Sequence, residues 1–336
     1  EYEHLQSKIF AKYRTNTVVR NKQGINFFQE ILQHPLLQNE LAASSFRAKY
    51  IFYFIKSICY KYLGDMEKSY EYNQKLIAMF ESVPMVSYRM EMYISALYQM
   101  ALRQNSLGKL TDSMQSIRKI RDIGKSYPQF AKSISPSLPF RSAMIEIDLY
   151  LRIPDYKTGV AQVPRIEADL KKFGHTVPKH VQYGLYYNIA LLYFGTGDHH
   201  KALYWLNKIL NENKDDYVLD LICASRILFL IIHIELGNDD LLEYAAHSTN
   251  RYLTTRKRKY KVESIFLELL KKLLDPFGKK EMSAFFSEIL IQFKELKSDP
   301  YEKGAFEFFD YISWAESKIE NRPFAEIVRK KGGQKL

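Results

Sequence analysis

Neighbouring histidines, paired carboxylates, one glycine–lysine–serine triplet and one basic run are the parts of this chain with the chemistry for catalysis or ligand binding. His199 and His200 follow Asp198, an order that suggests a metal site. On a helix, adjacent side chains diverge by about 100°, so the two imidazoles do not readily share one ion. With Asp198 they read as the polar opening of a helix. Asp215-Asp216 and Asp239-Asp240 have the groups for acid–base work, but each pair stands at a helix start. Carboxylates there cap orphan amides and offset the helix dipole. Gly124-Lys125-Ser126 ends as a phosphate-binding loop would, yet Lys119 stands where its first glycine must be and the segment has helical periodicity. His233 lies on an apolar face and reads as a packed histidine with a hydrogen-bond partner. No G-x-G-x-x-G, G-x-S-x-G or H-E-x-x-H occurs. The expectation is a protein that is not an enzyme, with no metal and no cofactor.

The basic run is the strongest charged feature. Residues 256–280 hold nine basic and three acidic residues, a local excess of +6 within a chain of net +11. Arg256, Lys257, Arg258, Lys259 and Lys261 open it and form a candidate patch for an acidic partner. A solvated turn flanked by lysine-rich faces explains the run more simply, so nucleic acid is not the expected partner.

These residues must sit on helices. The chain has 336 residues and 46% hydrophobic content, enough to bury a large core, and β-type alternation is nowhere sustained. Gly64-Asp65, Gly108-Lys109, Gly197-Asp198 and Gly237-Asn238 each close one apolar helical run and open the next. Their steps are 44, 89 and 40 residues, and 89 is two steps with the middle breaker supplied by Ile153-Pro154-Asp155. The same step reaches residues 21–24 at one end and Gly278 at the other. A turn recurring every 40–45 residues with two amphipathic helices per period marks an α-solenoid. Pro164 predicts a kink or a late helix start. Asp299-Pro300 predicts a helix running to about Lys318. Its aromatics Phe306, Phe308, Phe309, Tyr311 and Trp314 are too many for one neighbour to hide, so they serve terminal packing or an interface. The run from Tyr217 to Leu236 carries Asp220, Arg226, His233 and Glu235, which a membrane span rarely tolerates. Cys59 and Cys223 lie in apolar runs as small hydrophobes, which suits the reducing cytoplasm. The chain opens on Glu1 rather than Met, so it reads as a fragment or processed product.

At the Gly197 turn the residues are specific. Tyr186, Ile189, Ala190, Tyr193, Gly197, Asp198, Ala202, Leu206 and Ile209 resemble the tetratricopeptide-repeat pattern. Leu63-Gly64-Asp65-Met66-Glu67-Lys68-Ser69 is similar, with Ser69 where that family has Ala; His233 takes a Tyr position and Leu242 a small-residue position. The repeats are longer than the family's unit of about 34 residues, as in degenerate, bacterial-type members. The resemblance implies an all-α, right-handed α-solenoid of about seven antiparallel helix pairs, one continuous domain over 1–331 with a disordered tail at 332–336. It also implies that first helices line a concave face. By repeat position, Tyr98, Gln99, Leu102, Tyr187, Asn188 and Leu191 face that groove, where Asn and Gln can pair with a peptide backbone. The function expected is a non-catalytic protein- or peptide-binding scaffold. Two alternatives stay open: a peptide-sensing module of a larger signalling or DNA-binding protein, and nucleic-acid binding through 256–280.

Overall fold

The turn glycines do what their spacing requires. The structure is a computed structural model and describes residues 1–13, 17–84, 87–130, 138–212, 218–275 and 282–332. It is 83% helical, and no strand occurs among the described residues. The N–H groups of Asp65, Lys109, Asp155, Asp198 and Asn238 each donate five residues back, to the carbonyls of Tyr60, Gln104, Tyr150, Tyr193 and His233, at 2.8–3.1 Å. This bond closes a helix only if the intervening residue is left-handed. Gly64, Gly108, Gly197 and Gly237 supply φ of +85°, +70°, +81° and +67°. Pro154 fills the equivalent place in the remaining turn, so the 89-residue step is indeed two repeats.

Each turn then starts the next helix. The carboxylates of Asp65, Asp155 and Asp198 accept from the amides of Lys68, Thr158 and Lys201 at 3.0, 3.3 and 3.1 Å. The fifth residue after each turn residue is Ser69, Ser113, Gly159, Ala202 or Leu242, and all are buried. At four of these positions the residue is small, which allows the paired helices to approach; Leu242 is the exception. Ser69 also donates to the Ser57 carbonyl at 2.7 Å and accepts from Arg103 Nε at 2.9 Å.

Two compact units result, one of Glu1–Arg14 with Asn21–Gln182 and one of Thr15–Arg20 with Tyr183–Lys335. In the first, α1 (Tyr2–Tyr13) and α2 (Lys22–Leu32) pack on α3 (Phe46–Leu63). Then α4 (Met66–Glu81), α5 (Ser87–Ser106), α6 (Leu110–Ser126) and α7 (Leu138–Arg152) follow, each against its predecessor. Pro164 acts as expected: α8 (Tyr156–Ala161) stops short, and α9 (Val163–Phe173) restarts with the proline in its first turn. Gly124-Lys125-Ser126 is the end of helix α6, so it forms no phosphate loop.

The second unit contains α10 (Lys179–Thr196) from Tyr183 onward, α11 (His199–Glu212), α12 (Leu219–Leu236), α13 (Asp239–Thr255), α14 (Lys261–Leu274) and α15 (Met282–Leu296). Tyr186 meets Trp205 across α10 and α11, with ring centroids 5.4 Å apart. The helix expected from Asp299 to Lys318 is not continuous. Lys303–Glu307 forms a 3-10 turn, and Asp310 caps a new helix, α16 (Tyr311–Ile319), accepting from the Ser313 amide at 2.9 Å. Helix α17 (Phe324–Lys331) follows. The aromatic set packs internally: Trp314 is fully buried between Phe266 and Phe286, while Phe309 meets Phe194 and stacks on Phe324. Cys59 and Cys223 are buried free thiols, and burial pushes Cys223 up to about 12. The expected Gly278 turn, Asp215-Asp216 and residues 333–336 of the expected tail lie outside the described residues.

Candidate binding surfaces on the first helices

Helices that precede a turn are enclosed on all sides but one. In α10, Gly184, Asn188 and Leu191 are the residues between 183 and 194 that are not buried. Steps of four and three put them on one face. Between residues 92 and 103 of α5, Met92, Ser95, Tyr98, Gln99 and Leu102 form the equivalent stripe. Arg141, Met144 and Asp148 form it between residues 140 and 150 of α7. A helix buried on its remaining faces holds such a stripe rigidly, which suits recognition.

In the first unit the stripes of α5 and α7 meet. Arg141 lies over the Tyr98 ring at 5.9 Å and 3.8 Å from Glu91. Gln99 Oε1 accepts from Arg103 Nη1 at 2.6 Å, which fixes its amide plane. Asp148 accepts from Asn105 Nδ2 at 2.8 Å and pairs with Arg152 at 3.0 Å. Tyr98, Gln99 and Leu102 thus lie on a surface with charged neighbours that sequence reasoning missed. Asp148 stands six residues before Pro154, as Leu102 does before Gly108, so counting back from the proline would have found it.

In the second unit Asn188 and Leu191 lie on the stripe, but Tyr187 does not. Tyr187 is 2% exposed; its hydroxyl donates to the Phe308 carbonyl at 3.1 Å and its ring meets the Phe308 ring edge-on. Burial raises its pKa. The 3-10 turn from the C-terminal region covers it, so it is a core residue rather than a groove residue.

The basic run divides in a similar way. Arg256, Lys257, Lys259 and Lys261 are exposed, as expected of a turn. Arg258 is not part of that patch: its guanidinium pairs with Asp220 at 3.2 Å, and its side chain is 15% exposed. Lys257 takes the left-handed conformation, and the Arg258 amide closes α13 onto the Leu253 carbonyl, turning Arg258 inward.

Arg258 belongs to a buried charge cluster. Arg20 donates to both oxygens of Glu263, Nη2 reaching Oε2 at 3.0 Å, and to Glu302 Oε2 at 2.7 Å. Its guanidinium stacks on the Tyr260 ring at 4.3 Å. Glu302 also accepts the Lys261 and Val262 amides at 3.1 and 3.3 Å, and Glu263 accepts the Tyr260 amide at 3.2 Å, all at the start of α14. Asp220 accepts the Thr17 and Val18 amides at 2.9 and 3.5 Å. Burial raises the Asp220 pKa against the opposing pull of Arg258. Burial alone would lower that of Arg20, but Glu263 and Glu302 hold it above its ordinary value. A small pocket partly open to solvent lies here, with Cys223, Ala224 and Phe308 in its apolar wall.

His233 is buried as expected, Nδ1 lying 3.1 Å from Asn238 Nδ2. His199 lies 3.9 Å from Glu235. No group of three or more metal-ligating side chains occurs among the described residues, and none of their helices is long and apolar enough to cross a membrane.

The paired helices, the repeated turn and the small residue after it define a tetratricopeptide-like α-solenoid. Among solved structures the chain is similar to that of a Rap protein complexed with competence and sporulation factor. The TM-score is 0.57 at 12% identity, over 92% of this chain and 80% of that one. No family model and no curated protein sequence matches this chain.

Proposed function

We propose that this chain is a non-catalytic scaffold that binds a protein or peptide through the partly exposed stripes of its first helices, either those of α5 and α7 in the first unit or that of α10 in the second. One observation carries the reading. Helices α5, α7 and α10 are buried except for one stripe each, and on those stripes stand groups able to serve both amide and carbonyl of a ligand backbone, Gln99 and Asn188. The structural likeness to a Rap protein seen with a bound factor supports it. Capture of partners on the immobilised chain, then calorimetric titration against Asn188→Ala and Gln99→Ala, tests the scaffold reading. At least a tenfold loss of affinity for one variant is expected. Unchanged affinity for both would move the site off the stripes.

A further inference from the structure

Residues 17–20 are held as a ligand is held. They adopt no helix or strand, and the amides of Thr17 and Val18 are met by the Asp220 carboxylate rather than by a backbone ladder. Arg20 reaches between Glu263 and Glu302 and against Tyr260. Val18 lies on the backbone of Gly304 so closely that a Cβ at 304 would stand 3.1 Å from the valine Cβ.

The socket that takes Arg20 does not depend on Arg20 for its shape. Glu302 is pinned by the Lys261 and Val262 amides, Glu263 by the Tyr260 amide, and Asp220 by Arg258. If Arg20 left, three carboxylates would face one remaining guanidinium, in a site where unpaired charge is strongly unfavourable. An emptied socket therefore demands a cation, and its paired carboxylates match the planar donor fork of arginine. Arg20 Nε has no hydrogen-bond partner among the described residues, so the resident does not use every donor it brings.

We propose that this socket is a binding site for an arginine on an extended peptide, and that residues 17–20 are its built-in, displaceable occupant. The spacing defines the ligand class: two consecutive backbone amides for Asp220, an apolar side chain against Gly304, and a guanidinium two residues beyond it. Val18-x-Arg20 is the internal copy. This goes beyond the stripe reading and stands without it.

A labelled, end-blocked peptide with the sequence of residues 15–22 tests it in the full chain by fluorescence anisotropy. Arg20→Ala is expected to bind the peptide at least tenfold more tightly than wild type. Replacing the peptide's arginine by glutamine, or adding Glu302→Gln to the protein, is expected to reverse the gain. Should Arg20→Ala not fold, Val18→Ala loosens the resident segment without altering the socket or touching a charge and is expected to bind more tightly than wild type as well. In wild type, saturating peptide is expected to raise amide exchange at Thr17 and Val18. The proposal is overturned if the folded variants bind no better than wild type, if the glutamine peptide binds equally well, or if exchange at Thr17 and Val18 stays unchanged under saturating peptide. Asn188→Ala is expected to leave this peptide's affinity unchanged, so the two proposals fail separately.

Discussion

Arg258 Nη1 sits 3.2 Å from Asp220 Oδ1, and the carboxylate side chain it serves is 5% exposed. Removing the guanidinium leaves that carboxylate buried with two amide donors and only Arg20 as a remaining counter-charge. Arg258→Gln is therefore expected to cost about 2–3 kcal/mol, somewhat below the usual cost of breaking a buried pair because the Thr17 and Val18 amides remain. Changing Arg256, Lys257 and Lys259 together to Gln is expected to cost less than about 0.5 kcal/mol, as exposed charges do. Urea denaturation of the two proteins compares these directly, and equal midpoints would contradict the pairing.

Acid should weaken the fold through its buried histidines. Burial lowers the pKa of His199 and His233 below the ordinary histidine value. The unfolded chain then takes up protons first, from about pH 6.5 downward. Stability is full above that value and is lost as pH falls through the lower, folded-state values. For His233, protonation at Nδ1 also ends its bond with Asn238. His233→Phe should cost about 1 kcal/mol at pH 7.5 for that bond and flatten part of the decline in Tm between pH 7.5 and 5.5. An unaltered slope would exclude His233 as a contributor.

Gly197 offers a clean measure of turn strain. Its φ is +81° and a Cβ there would meet nothing within 4 Å, so Gly197→Ala changes backbone energy and no packing. A loss of about 1–2 kcal/mol is expected, smaller for Gly197→Asn, read from thermal unfolding. A loss above about 4 kcal/mol would mean that the turn carries contacts beyond its conformation.

Ala202 tests the helix pair behind that turn. It is fully buried, at the small-residue position, and Ala202→Leu is expected to cost about 1–3 kcal/mol by overpacking. An unchanged Tm would show slack between α10 and α11 that the buried alanine does not suggest.

Asn188→Ala should separate binding from stability. The side chain is half-exposed on the α10 stripe, so its loss is expected to change stability by less than about 0.5 kcal/mol. Partner affinity should drop by about 1–3 kcal/mol if the ligand buries the amide. Calorimetry with a captured partner measures the second, thermal unfolding the first.

What could be read from the sequence was what a few consecutive residues decide. Gly64-Asp65 and Gly197-Asp198 fix a left-handed residue and a cap within two positions, so their turns and the repeat step were legible. So was the restart at Pro164. Tyr187 misled because the group that covers it, Phe308, is 121 residues away, and no local pattern distinguishes groove from core there. Arg258 misled because its neighbours are lysines in sequence while its partner, Asp220, lies on another helix. Asp310 was missed as a cap because Asp299-Pro300 offered an equally good start eleven residues earlier. Only the drawing of Glu302 toward Arg20 and α14 shows why the chain halts between them.

Pro154 gives the repeat array an uneven hold on itself. At Gly64, Gly108, Gly197 and Gly237 the turn residue's own N–H makes a second bond, to the carbonyl three residues back, at 3.0–3.2 Å. An imino acid has no hydrogen to give. The end of α7 thus lacks the second amide bond that its four counterparts make. Past the proline, the Asp155 carboxylate caps the next helix, a bond that the turns at Lys109 and Asn238 do not make. In a chain built of like steps, the joint at 154 leans on the start of the helix that follows it more than on the end of the helix before.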